Sequence, residues 1–282
     1  MNRFRHRRGV LPGAVVSAVA YDATDLPAGE HRGLPSPWIT FLVSTHGPVR
    51  TMGTVHDPGP FEPSRATAYD VMVGGLQPVA ARVEQPSEQS GVQLAVHPLA
   101  APALFGCRAS ELLWADDGRD VLGRVAGELH DRISSEDDPE RRLDVVQEWL
   151  RALDERTRRS AVRPEVARAW QLVERSGGAC RVDDVAREVA LSPRQLRTLM
   201  RAEIGLSPKQ LCRSFRFSTT VAHLTRGTGS LAELAAVAGY ADQSHLNREF
   251  RQMAGCSPTQ WLVEERRNIQ DGGHGNRPDS SP

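Results

Sequence analysis

The chain has 282 residues, 39% hydrophobic and 25% charged, and its 35 Lys plus Arg balance 35 Asp plus Glu. That is length and apolar content for one large domain or two ordinary ones, each with a real core. No apolar run approaches the roughly 20 residues of a membrane span, and Cys107, Cys180, Cys212 and Cys256 are too scattered for a zinc ribbon or a disulfide scaffold. A reducing cytoplasm is therefore expected.

The N-terminus, "MNRFRHRRGVLPGAVVSAVAYDA", has a basic start and a mildly apolar stretch broken by Pro12, Gly13 and Ser17. It reads as an arm leading into a strand, not as a secretory signal. "WITFLVS" (38–44), "AYDVMVGG" (68–75) and "GVQLAVH" (91–97) are strand-like and separated by Gly and Pro. Helical patterns follow at 98–106, 120–133 and 139–156. Residues 1–156 thus read as an α+β sensor-like domain closed by a helical subdomain. Trp38, Phe41, Phe61, Tyr69 and Trp114 are read as core in the first instance and as pocket lining in the second. His31, His46, His56 and His97 lack H-x-H spacing, so neither a metal nor a cofactor is expected. Cys107 is read as an inert thiol before a redox sensor. Leu143, Val146, Trp149, Leu150 and Leu153 share one side of 139–156 and suit either a dimer face or a domain core. Residues 157–163 are expected to be a linker.

Charge balance shifts in the last third. Residues 161–270 carry 16 Arg or Lys against 11 Asp or Glu, and 191–226 carries seven basic residues against Glu203 alone. A basic stripe in a neutral chain points to a polyanionic partner. The same segment contains a repeat. "DVAREVALSPRQLRTLMRAEIGLSPKQL" (184–211) aligns with "ELAAVAGYADQSHLNREFRQMAGCSPTQW" (233–261): Leu196 with Leu246, Met200 with Phe250, Gly205 with Gly255, and Ser207-Pro208 with Ser257-Pro258, all offset by 50. Upstream the offset falls to 49, pairing Val185 with Leu234 and Ala186 with Ala235. Each copy reads as helix, short turn, helix. Ser192, Ser230 with Glu233, and Asp242 supply N-caps, Gly239 a turn, and Gly205 and Gly255 stops. An opening helix at 164–175 precedes the pair, a long helix at 208–225 joins them, and another follows at 258–266. This is the helix-turn-helix plan used twice.

On these residues, "LAELAAVAGYADQSHLNREFRQMAGCSPTQW" above all, the segment resembles the C-terminal domain of AraC/XylS-family transcriptional regulators. Leu246 stands where aromatic Phe is common, and Met200 where Phe is frequent; both keep the core role. Residues 1–156 are broadly similar to N-terminal domains that precede this domain in actinobacterial regulators. The cysteine-rich module of the alkylated-DNA-repair branch is absent from the chain.

The resemblance implies a fold with an all-α domain at 164–267, built from two helix-turn-helix units and a linker helix; the tail at 268–282, with its "DGGHGNRPDSSP" composition, is expected to be disordered. The resemblance further implies recognition helices at about 193–204 and 243–254 entering consecutive major grooves of double-stranded DNA, about 34 Å apart. Carried over by position, the base-reading residues are Arg194, Gln195, Arg197 and Thr198, then Gln243, Ser244, His245, Asn247 and Arg248. Arg suits guanine, and Gln or Asn suits adenine. Arg201, Lys209, Arg213, Arg216 and Arg251 are assigned to phosphates, with an internal acid as the alternative for Arg216. The expected function is a cytoplasmic bacterial, sequence-specific transcriptional regulator, provisionally an activator and not an enzyme. RNA polymerase, a small-molecule effector and a second copy are partners it allows. The alternative is an enzyme or small-molecule-binding domain with an appended DNA-binding module.

Overall fold

The computed structural model describes residues 2–157, 162–227 and 229–265. Most of the expected linker and the whole expected tail at 268–282 lie outside them. The N-terminal domain holds ten strands: β1 (Arg3–Leu11), β2 (Val15–Ala23), β3 (Gly29–Gly33), β4 (Ile39–Ser44), β5 (Val49–Thr54), β6 (Thr67–Tyr69), β7 (Val71–Gly74), β8 (Ala81–Gln85), β9 (Gln89–Val96) and β10 (Asp116–Asp117). They form two antiparallel sheets, ordered β1-β2-β9-β4-β7-β10 and β3-β8-β5-β6. The expected N-terminal arm is a full hairpin, with Arg3 opposite Asp22 and Arg8 opposite Ser17. β1 carries four arginines and escapes recognition as a strand. It is the edge of its sheet, where charge is tolerated and discourages further pairing.

The helices of this half are α1 (Ala101–Leu104), α2 (Gly118–Leu122), α3 (Arg124–Ser134) and α4 (Pro139–Thr157). Two expectations change here. The segment 98–106 forms a 3-10 turn at Pro98–Ala100 followed only by the four-residue α1. The segment 120–133 is two helices, divided where Gly123 takes φ +64°. The central strands of the larger sheet send successive side chains to opposite faces, and both faces are covered. Phe41, Val43, Val92 and Leu94 face Leu129, Ile133, Leu143, Val146 and Leu150 of α3 and α4, while Thr40, Leu42 and Gln93 face the second sheet across a cavity. Phe41 stacks on Trp149 at 5.5 Å and 5°. The apolar side of α4 is thus domain core, not a free dimer face.

The C-terminal half contains α5 (Pro164–Arg175), α6 (Val182–Glu188), α7 (Pro193–Ile204), α8 (Pro208–Arg226), α9 (Leu231–Val237), α10 (Gln243–Ala254) and α11 (Pro258–Glu264). Each helix-turn-helix unit has its own core, and α8 serves both. Leu211 and Phe215 pack with Trp170, Val185, Leu196 and Met200. Further along, Phe217, Val221 and Leu224 pack with Leu234, Leu246, Phe250 and Trp261. At 1.5 Å per residue, the 19 residues of α8 reach about 28 Å. The halves are fused by an aromatic cluster: the Trp38 ring lies 5.6 Å from Trp170 and 5.8 Å from Phe215, and His97 lies 4.9 Å from Trp170. Burial pushes the His97 imidazole down to about 4. No helix among the described residues is long and apolar enough to cross a membrane.

Candidate nucleic-acid interface

The two units close in the same way. In the first, Leu191 N donates to Ala186 O at 2.9 Å; in the second, Tyr240 N donates to Ala235 O at the same distance. Ala186 and Ala235 are 1% exposed, which lets the paired helices cross closely. The turn demands a left-handed residue, Ala190 at φ 54° in one unit and Gly239 at φ 77° in the other. Gly239 has a second reason to be glycine, since a Cβ there would lie 2.9 Å from Ala179 Cβ.

The helices after these turns are capped at both ends. Ser192 and Gln195 form a reciprocal capping box on α7, and Pro193 occupies the first turn. On α10 the Asp242 carboxylate accepts from His245 N at 2.7 Å. Gly205 and Gly255 end the two helices in the left-handed conformation, at φ 81° and 76°. Leu196, Met200 and Ile204 bury one side of α7; Leu246, Phe250 and Met253 bury one side of α10. Outward stand Arg194, Gln195, Arg197, Thr198 and Arg201 on α7, and Gln243, Ser244, Arg248 and Arg251 on α10, all exposed.

A family model described as a helix-turn-helix domain matches residues 185–263. The C-terminal domain is an AraC-type helix-turn-helix domain. ToxT from Vibrio cholerae O395 superposes with TM-score 0.50 at 12% identity, covering 92% of this chain and 97% of ToxT. ToxT bound to (E)-4-(8-methylnaphthalen-1-yl)but-3-enoic acid gives the same score and identity, covering 92% and 98%. The C-terminal domain of AraT, a response regulator from Geobacillus stearothermophilus, is 25% identical over 37% of this chain and 88% of that one, with TM-score 0.36. No curated protein matches the chain in sequence. The likeness to ToxT extends the fold agreement to both domains.

Within the AraC-type domain several of the named side chains have internal engagements. Gln195 Oε1 accepts from Ser192 N at 3.0 Å and from Ser192 Oγ at 2.7 Å, so only its amide nitrogen stays outward. Thr198 Oγ1 donates to Arg194 O at 3.1 Å. His245 Nδ1 accepts from Ala241 N at 3.3 Å, and its ring meets Tyr240 edge-on at 5.3 Å. Asn247 is half-buried.

The basic residues divide sharply. Lys209, like Arg201 and Arg251, is exposed. Arg216, by contrast, donates from Nη1 to Gly178 O at 2.9 Å and from Nη2 to both Glu249 oxygens at 3.2 Å. Arg213 Nε lies 2.9 Å from Glu249 Oε1 as an ion pair, although its N–H is not aimed along that line, and Nη2 donates to Gln252 Oε1 at 2.9 Å. Glu249 is 8% exposed. The phosphate expectation for Arg216 therefore gives way to its stated alternative, and Arg213 is largely committed in the same way: their charges neutralise a buried carboxylate inside the fold.

One feature of the interface had no sequence signal. The N-terminal domain grips the far end of both outward helices at equivalent positions. Ser110 Oγ donates to Ala202 O of α7 at 2.6 Å. Fifty residues on, His56 Nε2 meets Gln252 O of α10 at 2.9 Å, and Ala80 N donates to Met253 O at 2.7 Å. Ser110 and Val55 also pack against Gly205 and Gly255. At the C-terminal end of α11, Arg32 pairs with Glu264, and His31 Nδ1 lies 3.3 Å from Glu265 Oε1.

Proposed function

We propose that this DNA-binding transcription regulator is sequence-specific and reads DNA with α7 and α10 in consecutive major grooves, under control of the N-terminal domain. One observation carries the reading: the two corresponding helices of a duplicated unit, each independently capped, present exposed Arg194 and Arg197 on the first and Gln243 and Arg248 on the second. Arg and Gln match the hydrogen-bonding edges of guanine and adenine, at about 1–3 kcal/mol of discrimination per good pair. Exposed Arg201, Lys209 and Arg251 supply phosphate contacts and hence affinity without sequence preference. Gln195, Ser244 and Asn247 have secondary roles on the same faces. The Thr198 hydroxyl is spent on Arg194 O and His245 Nδ1 on Ala241 N, so these two position the helices instead.

The N-terminal domain serves as the sensor. The cavity between its sheets measures about 270 Å³ and is lined by Tyr21, Trp38, Leu42, Met72, Gln93 and Trp114, with Ser218 of α8 at its wall. ToxT is known bound to a carboxylic acid, and a small molecule with both apolar and polar groups suits this cavity, whose wall mixes Trp38, Leu42 and Trp114 with Gln77, Gln85 and Gln93. Of the five aromatic residues weighed for such a pocket, Trp38 and Trp114 line it. Phe41 instead faces the helical side, Tyr69 is packed in the core, and Phe61 lies under the Arg82 guanidinium at 5.9 Å. Occupation of the cavity bears on α8 through Ser218, and the contacts at Ala202 and Gln252 relay it to both reading helices. The chain is proposed to act as a regulator without catalysis of its own, in the bacterial cytoplasm.

The test is selection of random duplexes by the full chain, followed by sequencing and affinity measurement at several salt concentrations. A bipartite motif with its halves one helical turn apart supports the reading. Equal affinity for selected and random duplexes at every salt concentration defeats it.

A further inference from the structure

Cys180 and Cys212, 32 positions apart in a chain without C-x-x-C spacing, have their sulfurs 3.9 Å apart. Cys180 lies in the turn between α5 and α6, half-buried; Cys212 lies on α8 and is buried. The turn is pressed onto the helix. A Cβ on Gly178 would fall 2.1 Å from Cys212 O, and Arg216 holds Gly178 O at 2.9 Å. Ala179 abuts Gly239, the turn of the second unit, so the sulfurs sit where the two units meet. The remaining cysteines belong elsewhere: Cys107 borders the N-terminal core and Cys256 the core of the second unit.

We propose that Cys180 and Cys212 are a peroxide-oxidisable dithiol, with Cys180 attacking and Cys212 resolving. The sulfurs need close by only roughly 1.9 Å to reach bonding distance. Hydrogen bonding from Cys212 brings the Cys180 thiol down to about 6, with Ser176 and the Arg216 charge acting the same way against burial. The same pairing, then burial, pushes the Cys212 thiol up. Cys180 is the sulfur favoured as thiolate and is the more accessible of the two, which makes it the attacking one.

In the first step the Cys180 thiolate attacks one oxygen of hydrogen peroxide. The S–O bond forms, the O–O bond breaks, and hydroxide leaves to be protonated, giving a sulfenic acid. In the second, the Cys212 sulfur attacks Cys180 sulfur as it loses its proton. The S–S bond forms, the S–O bond breaks, and the departing hydroxide takes a proton to become water. Two thiols lose two electrons and two hydrogens, and one peroxide becomes two waters. The bond closes a loop containing α6 and α7 and ties the first unit to α8.

The test treats the reduced full chain with hydrogen peroxide and measures intact mass, free thiols and a non-reducing peptide map. The expected result is a loss of about 2 Da, a fall from four thiols to two, a peptide joining Cys180 to Cys212, and reversal by dithiothreitol. Cys180→Ala should slow oxidation on the order of tenfold. Cys212→Ala should stop at a sulfenic acid on Cys180 that dimedone traps. Retention of all four thiols in the unmodified chain, or a bond mapping to Cys107 or Cys256, overturns the proposal whether or not the variants fold. Neither result depends on DNA binding, so the regulatory reading stands or falls separately.

Discussion

Arg216→Met asks whether the Arg216 charge belongs to Glu249 or to DNA. The substitution removes the donors to Gly178 O at 2.9 Å and to the two Glu249 oxygens at 3.2 Å, and its side chain is only 14% exposed. Hydrogen bonds to charged groups contribute about 1.5–3 kcal/mol each, and breaking a buried pair costs about 3–5 kcal/mol. Arg213 stays beside Glu249 at 2.9 Å and limits the damage, so a loss of about 3 kcal/mol is expected. At this chain length that lowers the melting temperature by roughly 6–12 °C. Denaturation gives the stability change; duplex binding between low and moderate salt gives the slope of log K against log[salt]. A phosphate-neutralising arginine reduces that slope by about 0.9 when removed, whereas Arg216→Met should leave it unchanged. Arg201→Met provides the contrast, with a reduced slope and stability within about 0.5 kcal/mol of the parent. A reduced slope with unaltered stability for Arg216→Met would refute the internal assignment.

Three further outcomes are expected. Arg248→Ala should flatten preference at one or two base pairs by about 1–3 kcal/mol while lowering random-duplex affinity little; a uniform loss on all duplexes would make it a phosphate contact. His97 is held neutral, its folded value near 4 lying below the ordinary 6.5, so the stability tied to it is present above pH 6.5 and lost as pH falls toward 4. The loss is about 2 kcal/mol at pH 5, and His97→Phe should remove this dependence in denaturant titrations at pH 7 and pH 5. Gly239→Ala forces a side chain onto φ 77° and to 2.9 Å from Ala179 Cβ. It should cost about 1–2 kcal/mol by thermal unfolding, whereas the same change at Gly47, with open space around its Cβ position, should cost less.

The helical half was legible because its signals are local. A cap acts over three residues and an apolar stripe over four, so Ser192 with Gln195 and the Leu246, Phe250, Met253 spacing identify α7 and α10 without a partner. The sheets were less so. β3 reads "GEHRG" and β8 "ARVEQ", neither resembling a strand. They pair antiparallel, Glu30 opposite Glu84 and Arg32 opposite Arg82, and Arg82 meets the Glu30 carboxylate diagonally at 2.7 and 2.8 Å, a contact composition does not reveal.

The sequence alone determined that two capped helix-turn-helix units stand on a common helix and that a basic, polar side of each faces outward. The tertiary structure decided which of those cations stay available to a polyanion. Arg216 and Glu249 are 33 positions apart, and Cys180 and Cys212 are 32 apart. Ion pairs and thiol contacts form through space, between segments whose approach is set by packing of the whole core, and no periodicity along the chain encodes that approach.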